Sequence, residues 1–190
     1  MLLDFIEPSS DQLLLIEGIH RTFFSTATII AGTLRASGLL GWDLEGVAWS
    51  GTRFSVVGGA QYQPASNTIL TSVDGATWMQ QTVTVPGGAQ YFLNVLWADS
   101  KFVAIGAPAE VAISSDGLTW QVGPSSNDLL QYAISWTGSN FVSGGFDIDT
   151  SPDGITWTRT VPTSTTILGI VWGKDKYVAV GGGGVITTSP

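Results

Sequence analysis

Glu110, Asp128, Asp147 and Asp149 are the side chains best placed to do chemistry, because all four lie on or beside predicted loops. Two carboxyl groups about 5–9 Å apart can cleave a glycosidic bond, one as acid and the other as base or nucleophile. Nothing in the spacing of these four selects such a pair, so glycoside hydrolysis is the most remote reading. Asp147 and Asp149 share one face of a strand. Calcium could use them, but the EF-hand order of ligands is missing, and a solvated strand face is the plainer expectation. The single His20 excludes a multi-histidine metal site. The absence of cysteine removes thiolate zinc, Cys nucleophiles and disulfides together. The glycine run at 181–184 has neither a Lys-Ser/Thr pair nor a following helix, so it is not a phosphate loop. No catalytic, metal or cofactor-binding residue is assigned, no cofactor is expected, and the chain reads as a non-enzyme.

Charge narrows the partners. The formal net charge is −8, and the only basic residues are Arg21, Arg35, Arg53, Lys101, Arg159, Lys174 and Lys176. They form no basic stripe, which excludes nucleic-acid binding through phosphate neutralisation. The N-terminal MLLDFIEPSS lacks the basic start of a secretory signal, and no apolar run approaches the length of a membrane span. Charged residues are only 12% of the chain, whereas Gly numbers 24 and Trp eight. That composition suits many short strands, tight turns and aromatic packing.

What must position any site is a repeat of roughly forty residues that begins at Gly46. Its first element reads GVAWSG, NVLWAD, AISWTG and GIVWGK, and Trp49, Trp97, Trp136 and Trp172 mark it at intervals of 48, 39 and 36 residues. Its second reads RFSVVGG, KFVAIG, NFVSGG and KYVAVGG. The third and fourth surround Asp-Gly at 74–75, 116–117 and 153–154. Alternation puts Val47 with Trp49, Val95 with Trp97, Ile134 with Trp136 and Ile170 with Trp172 on one strand face. Asp-Gly predicts a two-residue type I′ hairpin, which needs positive φ at both positions. Each unit is therefore expected to be a four-stranded antiparallel meander. Stacking such meanders around an axis buries their faces, so the fold class is all-β, a small β-propeller of about four blades. The four strand tryptophans are assigned to the blade core.

At these residues the chain resembles the Asp-box (BNR) repeats of sialidase-like β-propellers, whose motif is approximately Ser-x-Asp-x-Gly-x-Thr-Trp. The form here is one residue shorter: Ser72-Val-Asp74-Gly75-Ala-Thr77-Trp78, Ser115-Asp116-Gly117-Leu-Thr119-Trp120 and Ser151-Pro-Asp153-Gly154-Ile-Thr156-Trp157. That shorter form is similar to repeats of bacteriophage tail and other virion proteins and of some bacterial surface proteins. The resemblance covers residues 46–190. It implies that Asp74, Asp116 and Asp153, with their Gly, Thr and Trp partners, are a folding device away from the ligand end. Sialidase activity is not implied, because the arginine triad and the Phe/Tyr-Arg-Ile-Pro context are missing.

Residues 1–45 do not match the unit and form an N-terminal arm. Ser9 to Gln12 could cap a short helix over 13–17, or that stretch could be a buried strand. Residues 23–35 are rich in β-branched side chains and read as one or two strands. The last unit stops at VITTSP, before its fourth strand, and an open edge exposes unpaired backbone groups. The simplest closure is by an N-terminal strand; the alternative is a half-ring completed by a second subunit. The function expected is a structural or interaction module of a virus particle, most plausibly a bacteriophage tail or decoration protein. It would contact other virion or surface proteins as part of a homo- or hetero-oligomer. The alternative is a lectin-like glycan-binding module on a phage or bacterial surface, with Tyr62, Tyr91 and Tyr132 near loops.

Overall fold

Each Trp-marked segment opens an antiparallel meander, because its alternating apolar pattern recurs in the Phe- or Tyr-led strand that follows it. The computed structural model describes residues 43–189 apart from 61–65, 82, 84–90, 108–110, 124–129 and 164. The first sheet runs β1 (Asp43–Trp49), β2 (Phe54–Ala60), β3 (Ser66–Ser72) and β4 (Met79–Gln81) in that order. The second has β5 (Tyr91–Ala98), β6 (Lys101–Ala107), β7 (Val111–Ser114) and β8 (Gln121–Val122). The third has β9 (Gln131–Trp136), β10 (Phe141–Gly145), β11 (Asp147–Ser151) and β12 (Thr158–Pro162). The fourth has three strands, β13 (Ile167–Gly173), β14 (Lys176–Gly181) and β15 (Ile186–Thr188), with a 3₁₀ turn at Gly182–Gly184. This is an all-β propeller architecture of four blades. The segments expected to form an arm helix (13–17) and a closing strand (23–35), together with His20 and Trp42, lie outside the described residues.

The turns differ from expectation. The Asp-Gly connections are not two-residue hairpins: β3 ends at Ser72 and β4 begins at Met79, with the same gap after Ser114 and Ser151. Only the glycine of each pair has positive φ. Paired positive φ occurs instead at Asp99-Ser100 and Lys174-Asp175, the tight β5–β6 and β13–β14 hairpins. Asp99 also forms an ion pair with Lys101 there. The matching hairpins of blades 1 and 3 are two residues longer. In them the hydroxyls of Ser50 and Thr137 each accept the amide of Arg53 or Asn140 at 3.0 Å.

A glycine in the second strand of every blade has one cause. The first strand bulges by one residue opposite it, at Leu44/Gly46 in β1, Phe92/Asn94 in β5 and Ile167/Gly169 in β13, with the same shift in blade 3. The bulge pushes a carbonyl against the neighbouring strand. A Cβ at Gly58, Gly106, Gly145 or Gly181 would collide with the carbonyl oxygen of Asp43, Tyr91, Leu130 or Thr166 respectively. Only glycine fits that approach.

The core lies between blades. Val57 and Ile69 of blade 1 pack on Phe92, Val95, Phe102, Ala104 and Ala112 of blade 2. On its other face blade 2 presents Val103, Ile105 and Val111 to Ile134, Phe141 and Trp157 of blade 3. Val142 and Ile148 of blade 3 then meet Ile167 and Ala179 of blade 4. β1 packs beside β5, β5 beside β9 and β9 beside β13, and no comparable contact joins β13 to β1 among the described strands. Among the described residues the four blades form an open arc.

Two substitutions test this packing. Phe102→Ala empties a fully buried site and should cost about 3–5 kcal/mol in urea unfolding. Gly106→Ala, a smaller chemical change, should still cost about 1–3 kcal/mol, because backbone has to move. A neutral Gly106→Ala would mean that the β5 bulge is not fixed as described.

Candidate functional site

The three Asp-Gly loops share one hydrogen-bond scheme. Ser72 Oγ donates to Asp74 Oδ1 at 2.9 Å and accepts the Gly75 amide at 2.9 Å. Asp74 Oδ1 also accepts the amides of Ala76 and Thr77 at 2.8 and 2.7 Å. In the second loop the serine is Ser114, one residue before the Ser115 from which the sequence motif was read. Its Oγ lies 3.0 Å from Asp116 Oδ1, which accepts Leu118 and Thr119 at 2.7 and 2.8 Å. Ser151 and Asp153 repeat the pattern, with Ile155 and Thr156 donating at 2.9 and 2.7 Å. Gly75, Gly117 and Gly154 turn the chain at φ of +69°, +73° and +80°.

These bonds fix the charge state. The Thr77 and Ala76 amides, then the Ser72 hydroxyl, hold Asp74 far below the usual carboxylate range. The Thr119 and Leu118 amides lower the pKa of Asp116. Burial opposes ionisation of Asp153, but the amides of Thr156 and Ile155 and the Ser151 hydroxyl outweigh it, giving about 2. A general acid at neutral pH needs the opposite shift. The three carboxylates are locked into their loops as acceptors.

The loops also wedge between blades. Trp120 and Trp157 donate through Nε1 to the Gly117 and Gly154 carbonyls at 3.2 Å and join the clusters shared with the preceding blade. Gly117 lies under the Arg53 side chain, and Gly154 against Val103. Trp78 has no blade before it among the described residues and sits 6.4 Å from the Phe54 ring.

Of the strand tryptophans, Trp97 and Trp136 pack against the inter-blade clusters, whereas Trp49 is less buried than a core assignment requires. Trp97 and Trp136 are half-buried, their rings 4.6 and 4.5 Å from Phe102 and Phe141. Trp49 stacks on Phe54 at 4.2 Å yet is exposed, and Trp172 is half-buried. Each lies at a strand end, on the rim, and the fully buried rings are those of Phe92, Phe102 and Phe141.

The other candidates separate. Glu110, Asp128 and Tyr62 lie outside the described residues, while Tyr91 is the first residue of β5 and Tyr132 the second of β9, at the loop ends of those strands. Asp147 and Asp149 are not on a solvated face: they are 6% and 2% exposed. Arg159 Nε lies 2.8 Å from Asp147 Oδ2, and Gln131 Nε2 donates to Asp149 Oδ2 at 2.8 Å. Gln131, Ser143 and Asp149 stand where blade 2 has Phe92, Ala104 and Ala112, which makes this interface partly polar. No sugar reaches carboxylates so enclosed. Among the described residues no group of three or more His, Cys, Asp or Glu comes together.

Composition alone could not locate one further feature. An open groove of about 610 Å³ between blades 3 and 4 is lined by Trp172, Tyr177, Val142, Thr150, Asn140 and Asp175, among others. In the two preceding interfaces the equivalent place beside Trp97–Phe102 and Trp136–Phe141 holds Trp120 and Trp157. Here it is open among the described residues. Its floor is aromatic, with hydroxyls, an amide and a carboxylate around it.

No protein-family model and no curated protein matches the sequence. Solved β-propellers match the fold. YCF48, in a structure bound to D1 peptide, superposes with a TM-score of 0.61 at 18% identity over 83% of this chain and 52% of its own. The computationally designed Ika4 protein gives 0.57 at 14% identity, over 77% of this chain and 89% of its own. A chain of a nidogen/laminin complex gives 0.56 at 12% identity, over 78% and 60%. The chain thus spans about half the length of YCF48, and these likenesses establish the fold.

Asp116→Ala should cost about 1–2 kcal/mol by removing one acceptor of three hydrogen bonds, read by urea unfolding; no change would mean the loop holds without its carboxylate. The pH response has a defined sign. Ionised Asp153 contributes stability that is complete above its ordinary 3.8 and is lost as pH falls toward about 2. Thermal midpoints should drop across that window, and Asp153→Asn should make the drop shallower.

Proposed function

We propose that this chain is a non-enzymatic interaction module of a virus particle, a bacteriophage tail or decoration component that holds other virion or surface proteins. The groove between blades 3 and 4 carries the reading: it offers Trp172 and Tyr177 to a partner's side chain and presents no acid–base pair. Among the described residues, Asp74, Asp116 and Asp153 are engaged by loop amides, and Asp147 and Asp149 by Arg159 and Gln131. Two propellers of similar fold are seen in complexes, YCF48 with D1 peptide and nidogen with laminin. Protein recognition is a use this architecture supports. The virion assignment rests on the resemblance of the short Asp-Gly-x-Thr-Trp repeats to those of tail proteins.

A lectin-like role is the second reading, favoured by the same aromatic groove with its ring of hydroxyls. Purified virions of the source, analysed by mass spectrometry, should contain the chain in fixed stoichiometry with a named structural protein, and Trp172→Ala should weaken that association at least tenfold. Absence from the particle would sink the virion assignment. Binding on a glycan array that Trp172→Ala abolishes would favour the lectin. Hydrolysis of fluorogenic glycosides above a buffer control would contradict both.

A further inference from the structure

Every blade has a leading face, turned to the blade before it, and a trailing face, turned to the blade after it. Strand register makes the faces comparable. Val57 pairs with Ile69, Ile105 with Val111, Gly144 with Ile148 and Val180 with Ile186, so these are one trailing position in four blades. Val47, Val95, Ile134 and Ile170 are likewise one leading position, each two residues before the strand tryptophan.

Inside the arc these positions are covered. Ile69, Val111 and Ile148 are 0%, 4% and 2% exposed, and Val95 is 4%. At the arc's ends the same positions are bare: Ile186 is 73% exposed and Val47 64%. Val171 and Val180 lie beside Ile186 on the trailing face of blade 4, and Trp49 lies beside Val47 on the leading face of blade 1, all exposed. Apolar surface this concentrated marks a contact. The chain itself shows what covers such faces: the Val/Ile pairs of blades 1 and 2 pack on Val95 and Ile134 beside Phe102 and Phe141, and in blade 3 Ile148, paired with Gly144, packs on Ile167.

We propose that the leading face of blade 1 and the trailing face of blade 4 are two halves of one interface, formed head to tail between two copies of this chain. Two arcs related by a two-fold axis make that contact twice and close one ring. The occupant is a second copy because the end faces carry apolar residues at the same register positions as surfaces that already bind each other within the arc. A face that accepts Val95 of its own chain accepts Val47 of another. The inference does not rest on the groove between blades 3 and 4, which lies within one chain.

Native mass spectrometry and light scattering of the 190-residue protein at micromolar concentration should give twice its 20.0 kDa. Ile186→Glu and Val47→Lys, both at exposed positions, should each give folded monomers with unchanged circular dichroism. Mixing the two variants should restore the dimer, because one contact then pairs Glu with Lys and the other is wild type. Val171→Glu is the second disruptive variant should Ile186→Glu fail to fold. A wild-type monomer overturns the proposal, whether residues 1–42 or further blades of a longer chain cover these faces. Dimers that persist in the variants, or monomers that persist after mixing, overturn it equally. Failure here leaves the groove's partner testable, and failure there leaves the mass unchanged.

Discussion

A four-stranded sheet that is apolar on both faces has to be covered on both sides, and here only another such sheet can do it. One strand displays the problem: in β6, Phe102 and Ala104 face blade 1 while Val103 and Ile105 face blade 3. All four are fully buried. Neither face belongs to a single blade, so no blade is stable alone, and the sequence must repeat to satisfy each copy with the next. Burying side chains the size of Phe102, Val103 and Ile105 contributes roughly 1.5–3 kcal/mol each.

The remaining devices serve that stacking. The bulge in each first strand increases twist locally, and the second-strand glycine accommodates the displaced carbonyl. The Asp-Gly loops satisfy their amides internally through one carboxylate oxygen and one serine hydroxyl. That leaves Trp120 and Trp157 free to lie against the preceding blade rather than in solvent. The exception is the polar interface of blades 2 and 3, where Gln131, Ser143 and Asp149 replace Phe and Ala. There Gln131 donates to Asp149 inside the interface.

The architecture was legible in the sequence because it is periodic: Trp49, Trp97, Trp136 and Trp172, with the Phe or Tyr that follows, mark two adjacent strands in every copy. The short last unit was legible for the same reason. Turn chemistry was not. Asp-Gly suggested a type I′ hairpin, but Asp74, Asp116 and Asp153 bond to amides two and three residues ahead, which lengthens the loop. Type I′ geometry went to Asp99-Ser100 and Lys174-Asp175, which carry no glycine to announce it. Burial of Asp147 and Asp149 was invisible because alternation tells which residues share a face and not what lies over it. For the same reason Val47 and Val95 read alike, although one is bare and the other covered. The groove depends on where a tryptophan does not reach, which no spacing rule detects.

The central claim is that stability resides between blades and is greatest where a strand is buried on both faces. Native-state hydrogen exchange resolved by residue tests this most directly. The slowest amides should lie in β6 and β10, whose residues Phe102–Ala107 and Phe141–Gly145 are buried without interruption. Those of β4, β8 and β15 should exchange orders of magnitude faster. Equal protection across all fifteen strands, or the strongest protection in the outer strands, would contradict the account.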